Sequence, residues 1–133
     1  MLLVDASARK SAIHGTGLFA NQPIFAGTTI WVLKPGFDVV LTKQALDELS
    51  PFVQEQIRHY IYIDIVTGMY VLCSDDARFM NHADNPNTAT AGDRTWAVRD
   101  IPPGEELTCD YREFDAATRN KPATAVQRHG DGG

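Results

Sequence analysis

Turn-forming residues interrupt this chain so often that no apolar run lasts more than a few residues. Gly15-Thr16-Gly17, Pro23, Gly27, Pro35-Gly36, Pro51, Gly68, Pro86, Gly92 and Pro102-Pro103-Gly104 punctuate its length. Glycine and proline end helices and mark turns, so this spacing predicts short strands and excludes a long-helix bundle. The expected strands are Leu2 to Arg9, Gly17 to Ala20, Thr28 to Leu33, Tyr60 to Ile65, Met69 to Cys73, Thr95 to Arg99 and Glu106 to Thr108. Val66-Thr67-Gly68 reads as a hairpin turn between two of them. One stretch, Thr42 to His59, has helical spacing, with Leu46, Leu49, Phe52, Val53 and Ile57 as its apolar face and a break at Pro51. Many short strands with one helical insertion give a mainly β architecture.

The chain has 133 residues, 44% hydrophobic and 22% charged, which is one soluble domain's worth. A chain of this size buries roughly 70% of its unfolded surface, so an ordinary core suffices. No segment approaches the ~20 apolar residues that cross a bilayer. Met1 to Lys10 lacks a basic stretch followed by an apolar one, so an intracellular protein with no membrane partner is expected. Cytoplasm is the default compartment; nuclear and secreted locations stay open. Cys73 and Cys109 are too few for a disulfide framework or a structural zinc site, and no metal is expected. The net charge of −5 hides an asymmetry: Arg119, Lys121 and Arg128 against Asp131 make the C-terminal stretch basic, so the rest is more acidic still. Acidity argues against direct nucleic-acid binding and suits a basic protein or peptide as partner.

Three segments bear chemistry. Gly15-Thr16-Gly17-Leu18-Phe19-Ala20 formally matches a dinucleotide fingerprint, with Asp38 where a ribose-binding acid would sit. That fingerprint needs a helix starting at the glycines. Pro23, Gly27 and the β-branched Ile24, Thr28, Thr29 and Ile30 oppose one, so the glycines read as a tight turn whose backbone a ligand can approach. Arg78-Phe79-Met80-Asn81-His82-Ala83-Asp84-Asn85-Pro86-Asn87 is a polar loop after apolar residues. Its asparagines offer both donors and acceptors, which suits a zwitterion or an adenine edge. His82 with Asp84 is too sparse a pair to ligate a metal. Third, Pro102-Pro103-Gly104 turns into a short strand that delivers Asp110-Tyr111 to its end.

Together, HGTGLFA, RFMNHADNPN and GEELTCDY, in this order, resemble the signature segments of SET-domain protein lysine methyltransferases. The resemblance spans roughly residues 9 to 114 and is that of a small, zinc-free, SET-only member. It implies a β-clip-like fold of several small curved sheets, with a short helical insertion and a pseudoknot near the C-terminus. The SET catalytic domain would be residues 1–115, its insertion 42–59, and 116–133 a partly flexible tail. The implied activity is transfer of a methyl group from S-adenosylmethionine to a lysine of a basic, histone-like protein. The alternative is a SET-fold module that binds peptide or donor without turnover.

By this resemblance Tyr111 is catalytic. His14, Gly15, Thr16, Gly17, Tyr60, Asn81 and His82 bind the donor, while Tyr60, Tyr62, Tyr111 and Phe114 line the lysine channel. Arg78, Phe79, Pro86 and Asn87 are scaffold for the knot. Many relatives close the channel with zinc-binding cysteines, but Ala83-Asp84 stands in the corresponding stretch and no cysteine follows Tyr111. The wall is therefore expected from Arg112 to Ala117, with Phe114 as lid, or from a second subunit in a homodimer. Leu33 and Thr90 stand where many relatives carry aromatics.

Overall fold

The computed structural model describes residues 1–118. Its strands run β1 (Ala6–Lys10), β2 (Thr16–Ala20), β3 (Thr29–Val32), β4 (Val39–Leu41), β5 (Tyr62–Ile63), β6 (Tyr70–Leu72), β7 (Asn81–His82), β8 (Thr88–Ala91), β9 (Arg94–Ala97) and β10 (Glu106–Cys109). They form three small sheets, ordered β1-β2-β10-β7, β3-β9-β8 and β4-β6-β5. Five expected strands are shorter than the sequence suggests, Thr28 to Leu33 and Thr95 to Arg99 by only one or two residues. Leu2 makes only an isolated bridge to Trp31, and the Tyr60 to Ile65 and Met69 to Cys73 runs shrink to β5 and β6. The turn between β5 and β6 is the predicted one. Asp64 Oδ1 accepts the Val66 and Thr67 N–H groups, and Gly68 takes a φ of 72°, which a side chain would disfavour.

β4, β7 and β8 were not expected. Val39-Val40-Leu41 is brief, Asn81-His82 has no strand-forming residue, and Thr88–Ala91 alternates threonine with alanine, so none shows a period-2 apolar signal. Pairing supplies what propensity lacks: β8 zips against β9 over four residue pairs, and β7 runs parallel to β10 through Thr108↔Asn81 and Cys109↔His82. Such a parallel pair needs a long crossover, and β8 and β9 lie within it.

The helical stretch divides as Pro51 dictates, into α1 (Lys43–Asp47) and α2 (Pro51–Ile57). Thr42 and Ser50 cap them by accepting the N–H groups of Ala45 and Val53. The expected apolar face is not buried. Phe52 is 81% exposed, Val53 is exposed, and neither helix contains a buried residue. Two short helices joined at a proline cannot present one continuous stripe, and a groove of ≈ 540 Å³ separates them from Ile61, Ile63 and Tyr70. No described helix is long and apolar enough to cross a membrane.

The main core gathers Leu18, Ile24, Ile30, Trp31, Ile101 and Leu107 between the first two sheets. Ile30 and Trp31 are adjacent yet both buried, because the β3–β9 register shifts between Thr29 and Trp31. Asp38, a formal match to a ribose-binding acid, is instead structural. Its carboxylate is buried and accepts the Lys34 and Ser74 N–H groups while pairing with the Met1 ammonium at 2.9 Å. Beyond residue 115, Ala116 N–H donates to the Ile63 carbonyl and Thr118 is buried, so both pack on the body. The rest of the expected tail, residues 119–133, lies outside the described residues.

Candidate functional site

The loop from Ser11 to Thr16 is shaped by a polar hub beneath it. Ser11 Oγ accepts the Ile13 and His14 N–H groups and donates to Glu106 Oε1 at 2.7 Å. The Asn81 side-chain amide donates to the His14 carbonyl at 3.0 Å, the Thr16 carbonyl at 3.2 Å and Glu106 Oε2 at 2.9 Å. An NH2 group has two hydrogens, so these three acceptors take all of its donating capacity. Its Oδ1 is the end not spent on the loop. Asn81 is 2% exposed, whereas His14 and Gly15 face solvent and Gly15 turns with a φ of +45° and open space around its α-carbon.

Gly17 has a different reason to be glycine. A methyl group there would lie 2.3 Å from Glu106 Oε2. The carboxylate can swing away, but only by releasing Asn81 and Ser11. Gly17→Ala should therefore fold normally yet loosen the loop, quickening amide hydrogen exchange at Ile13 and His14 about tenfold, the worth of one charge-assisted hydrogen bond. Asn81→Ala should do the same from the other side of the hub. Hydrogen exchange checks both, and unchanged protection in either variant would show that the hub does not hold the loop.

The parallel β7–β10 pair sets His82 beside Tyr111. Tyr111 N–H donates to His82 Nδ1 at 3.1 Å, so the proton of a neutral ring sits on Nε2. That Nε2 is buried with no hydrogen-bond partner among the described residues, its nearest acid being Asp84 Oδ1 at 3.8 Å. Asp110 caps the following turn by accepting the Arg112 N–H. Its hydrogen bonds from the Arg112 guanidinium hold its carboxyl below the usual range. Tyr111 is 7% exposed, and its hydroxyl donates to the Met80 carbonyl at 2.8 Å.

Past Tyr111 lies an open-mouthed cavity of ≈ 80 Å³. Its aromatic walls are Trp31, Tyr60, Tyr62, Tyr111 and Phe114. The Phe114 ring meets Tyr62 edge-on at 5.0 Å and Tyr111 at 6.0 Å. Thr90 and Thr95 complete one side, their hydroxyls hydrogen-bonded to each other at 2.8 Å. Burial pushes the Tyr62 phenol far above its ordinary range and the Cys73 thiol up to about 12, so both stay neutral. Its walls are mostly apolar and aromatic, which suits the end of an alkyl chain.

The residues expected from sequence thus fall into two groups that touch. His14, Gly15, Thr16, Gly17, Asn81 and His82 surround the loop and hub. Tyr62, Tyr111 and Phe114 meet around the cavity, and Tyr60, expected on both sides, lines it and packs edge-on against Phe79 at 5.4 Å. Asn87 pins β10, its Oδ1 accepting the Thr108 N–H and its amide donating to the Glu106 carbonyl. Leu33 packs against the main core, and Thr90 does line the cavity. Sequence reasoning missed Ser11, Glu106, Trp31 and the Met80 carbonyl. Only Glu106 carried a signal, as a carboxylate on an expected strand. Among the described residues no three His, Cys, Asp or Glu side chains converge as a metal site.

A SET domain family model matches residues 15–112. The histone-lysine N-methyltransferase ATX2 of Arabidopsis thaliana is 30% identical over 131 residues, covering 83% of this chain and 11% of that protein. The chain thus spans about a tenth of that relative's length. Among solved structures, the Neurospora SET domain protein DIM-5, a histone lysine methyltransferase, is similar with a TM-score of 0.55 at 21% identity, over 83% of this chain and 53% of that one. A humanized mutant of the Chaetomium thermophilum Polycomb Repressive Complex 2, bound to the inhibitor GSK126, gives 0.60 at 24% identity, over 87% and 16%. At these identities the structural likeness shows the fold: small sheets, few helices and no closed barrel. With the match to most of its length and the three motifs folded around one site, this chain belongs to the SET domain family.

Proposed function

We propose that this protein is an S-adenosylmethionine-dependent protein-lysine N-methyltransferase acting on a basic, histone-like protein. One observation carries the reading: the loop held by Asn81 and Glu106 is linked, through His82 and the backbone of Tyr111, to a cavity walled by aromatic rings that include Tyr111. The donor side fits a cationic zwitterion. Asn81 Oδ1 is an acceptor for an ammonium group, the Gly15 turn leaves room for close approach, and the buried His82 Nε2–H is a donor without a protein partner among the described residues. When bound, S-adenosylmethionine supplies a methyl carbon made electrophilic by its sulfonium.

The chain's residues then have two tasks. The first is alignment, holding the lysine nitrogen in line at a near-attack distance of roughly 3 to 3.5 Å. Tyr111 suits it because its hydroxyl hydrogen is committed to Met80, which turns an oxygen lone pair toward the amine without adding a charge. The second is to favour a neutral amine. A free lysine, pKa ~10.4, is unprotonated only about once in two or three thousand at pH 7. Walls of Trp31, Tyr60, Tyr62 and Phe114 disfavour the ammonium by desolvation. The acidic surface meets basic residues flanking the target.

Incubation with isotope-labelled donor and core histones tests the reading. Label on a lysine is expected. A folded chain that binds donor but labels neither histones nor any protein of a cell extract would leave the binding-module alternative.

A further inference from the structure

We propose that Asp115 is a positioning residue, a latch that fastens the segment after Tyr111 onto β5 and so holds Phe114 as a wall of the cavity in the same chain. What the wall does rests on the proposed function; the latch rests on geometry alone.

β5 is two residues long and pairs with β6 on one edge. The chain leaving Tyr111 takes the other edge. Ile65 N–H donates to the Phe114 carbonyl at 3.2 Å, Ala116 N–H donates to the Ile63 carbonyl at 2.8 Å, and Asp64 bridges Asp115 antiparallel. A ladder this short lacks one rung, since Ile63 N–H has no backbone acceptor in the partner segment. Asp115 Oδ1 fills that place, accepting Ile63 N–H at 3.3 Å while also accepting Ala117 N–H at 3.1 Å. An aspartate that only shaped its own turn would need Ala117 and not Ile63, which is far away in sequence. Asp115 is 1% exposed, so water does not substitute for it. Because Phe114 precedes the latch directly, its ring is set edge-on against Tyr62. The lid thereby gains from backbone pairing and one buried carboxylate the fixed position that a metal cluster could otherwise give.

Three variants test this. Asp115→Ala removes the acceptor, Asp115→Asn keeps it at Oδ1, and Phe114→Ala removes the wall while sparing the latch. In Asp115→Ala, amide hydrogen exchange at Ile63, Ile65 and Ala116 should quicken roughly tenfold, the scale of one hydrogen bond to a carboxylate, with Leu18 and Leu107 unchanged. KM for core histones should rise by a similar factor at unchanged donor affinity. Asp115→Asn should stay within about twofold of wild type in both readouts. Phe114→Ala should raise KM without altering exchange. Unchanged exchange in Asp115→Ala, unchanged KM once the segment is released, failure of Asp115→Asn to restore either, or an unaffected Phe114→Ala would each overturn the proposal. If Asp115→Ala does not fold, Asp115→Asn and Phe114→Ala still decide it. A wild-type chain that transfers no methyl group would refute the proposed function, and the exchange measurement would still judge the latch.

Discussion

Tyr111→Phe should leave donor affinity unchanged and cut methyl transfer about hundredfold, the typical cost of a misplaced reacting group. The ring has reasons to stay where it is. It is buried, tilted against His82 at 5.4 Å and edge-on to Phe114 at 6.0 Å, and its backbone N–H is fixed by His82 Nδ1. Only the hydroxyl is lost, and with it the partner of the Met80 carbonyl and the one phenolic oxygen at that point of the cavity wall. The loss should fall on kcat more than on KM, because an alkyl chain packs as well against phenylalanine as against tyrosine. Single-turnover kinetics with calorimetry separates the two. Transfer at the wild-type rate would sink the role assigned to Tyr111.

The second large effect is on stability. Asp38→Ala should cost about 3 kcal/mol, as leaving two backbone N–H groups without a buried charged acceptor does, and lower the melting temperature by roughly 10 °C. It would leave the N–H groups of Lys34 and Ser74 without their acceptor and the half-exposed Met1 ammonium with only the Val32 carbonyl. The pH dependence follows from the carboxyl's own shift. Burial alone would raise its pKa, but the hydrogen bond from the Met1 ammonium and those from Lys34 and Ser74 outweigh it and leave the value lowered. A group depressed in the fold contributes fully above its unfolded pKa of ~3.9 and loses that contribution as pH falls through the folded value. The gap between wild type and Asp38→Asn should therefore be constant near neutrality and narrow below about pH 4. A gap that widens in acid would show that the carboxylate is not the stabilising form.

Legibility varied with how local the cause was. Pro51 splitting the helical stretch, Val66-Thr67-Gly68 turning a hairpin and the refusal of the Gly15 segment to form a helix follow from φ preferences within a few residues, so the sequence displays them. The exposed face of α2 was misjudged because helical spacing says which residues share a side and not whether anything covers it. Trp31 was missed as a cavity wall because strict alternation puts it opposite Ile30, and the register shift that buries both is a property of pairing with β9. Asp38 matched a ribose-binding acid in spacing alone. Its partners are the Met1 ammonium, the distant Ser74 N–H and the nearby Lys34 N–H.

Residue order alone accounts for short strands, two short helices, an acidic body and three motifs in SET-family order. Those properties reside in residue type and near-neighbour spacing. What the motifs do to one another is visible only in the folded chain. Glu106 dictates glycine at 17, Asn81 spends its amide on the loop and keeps its carbonyl end, His82 takes its tautomer from Tyr111, and Asp115 completes a strand edge far away in sequence. Each is a contact between residues distant in sequence, and a hydrogen bond of about 3 Å has no trace in a one-dimensional string until the chain has closed the loop between its ends.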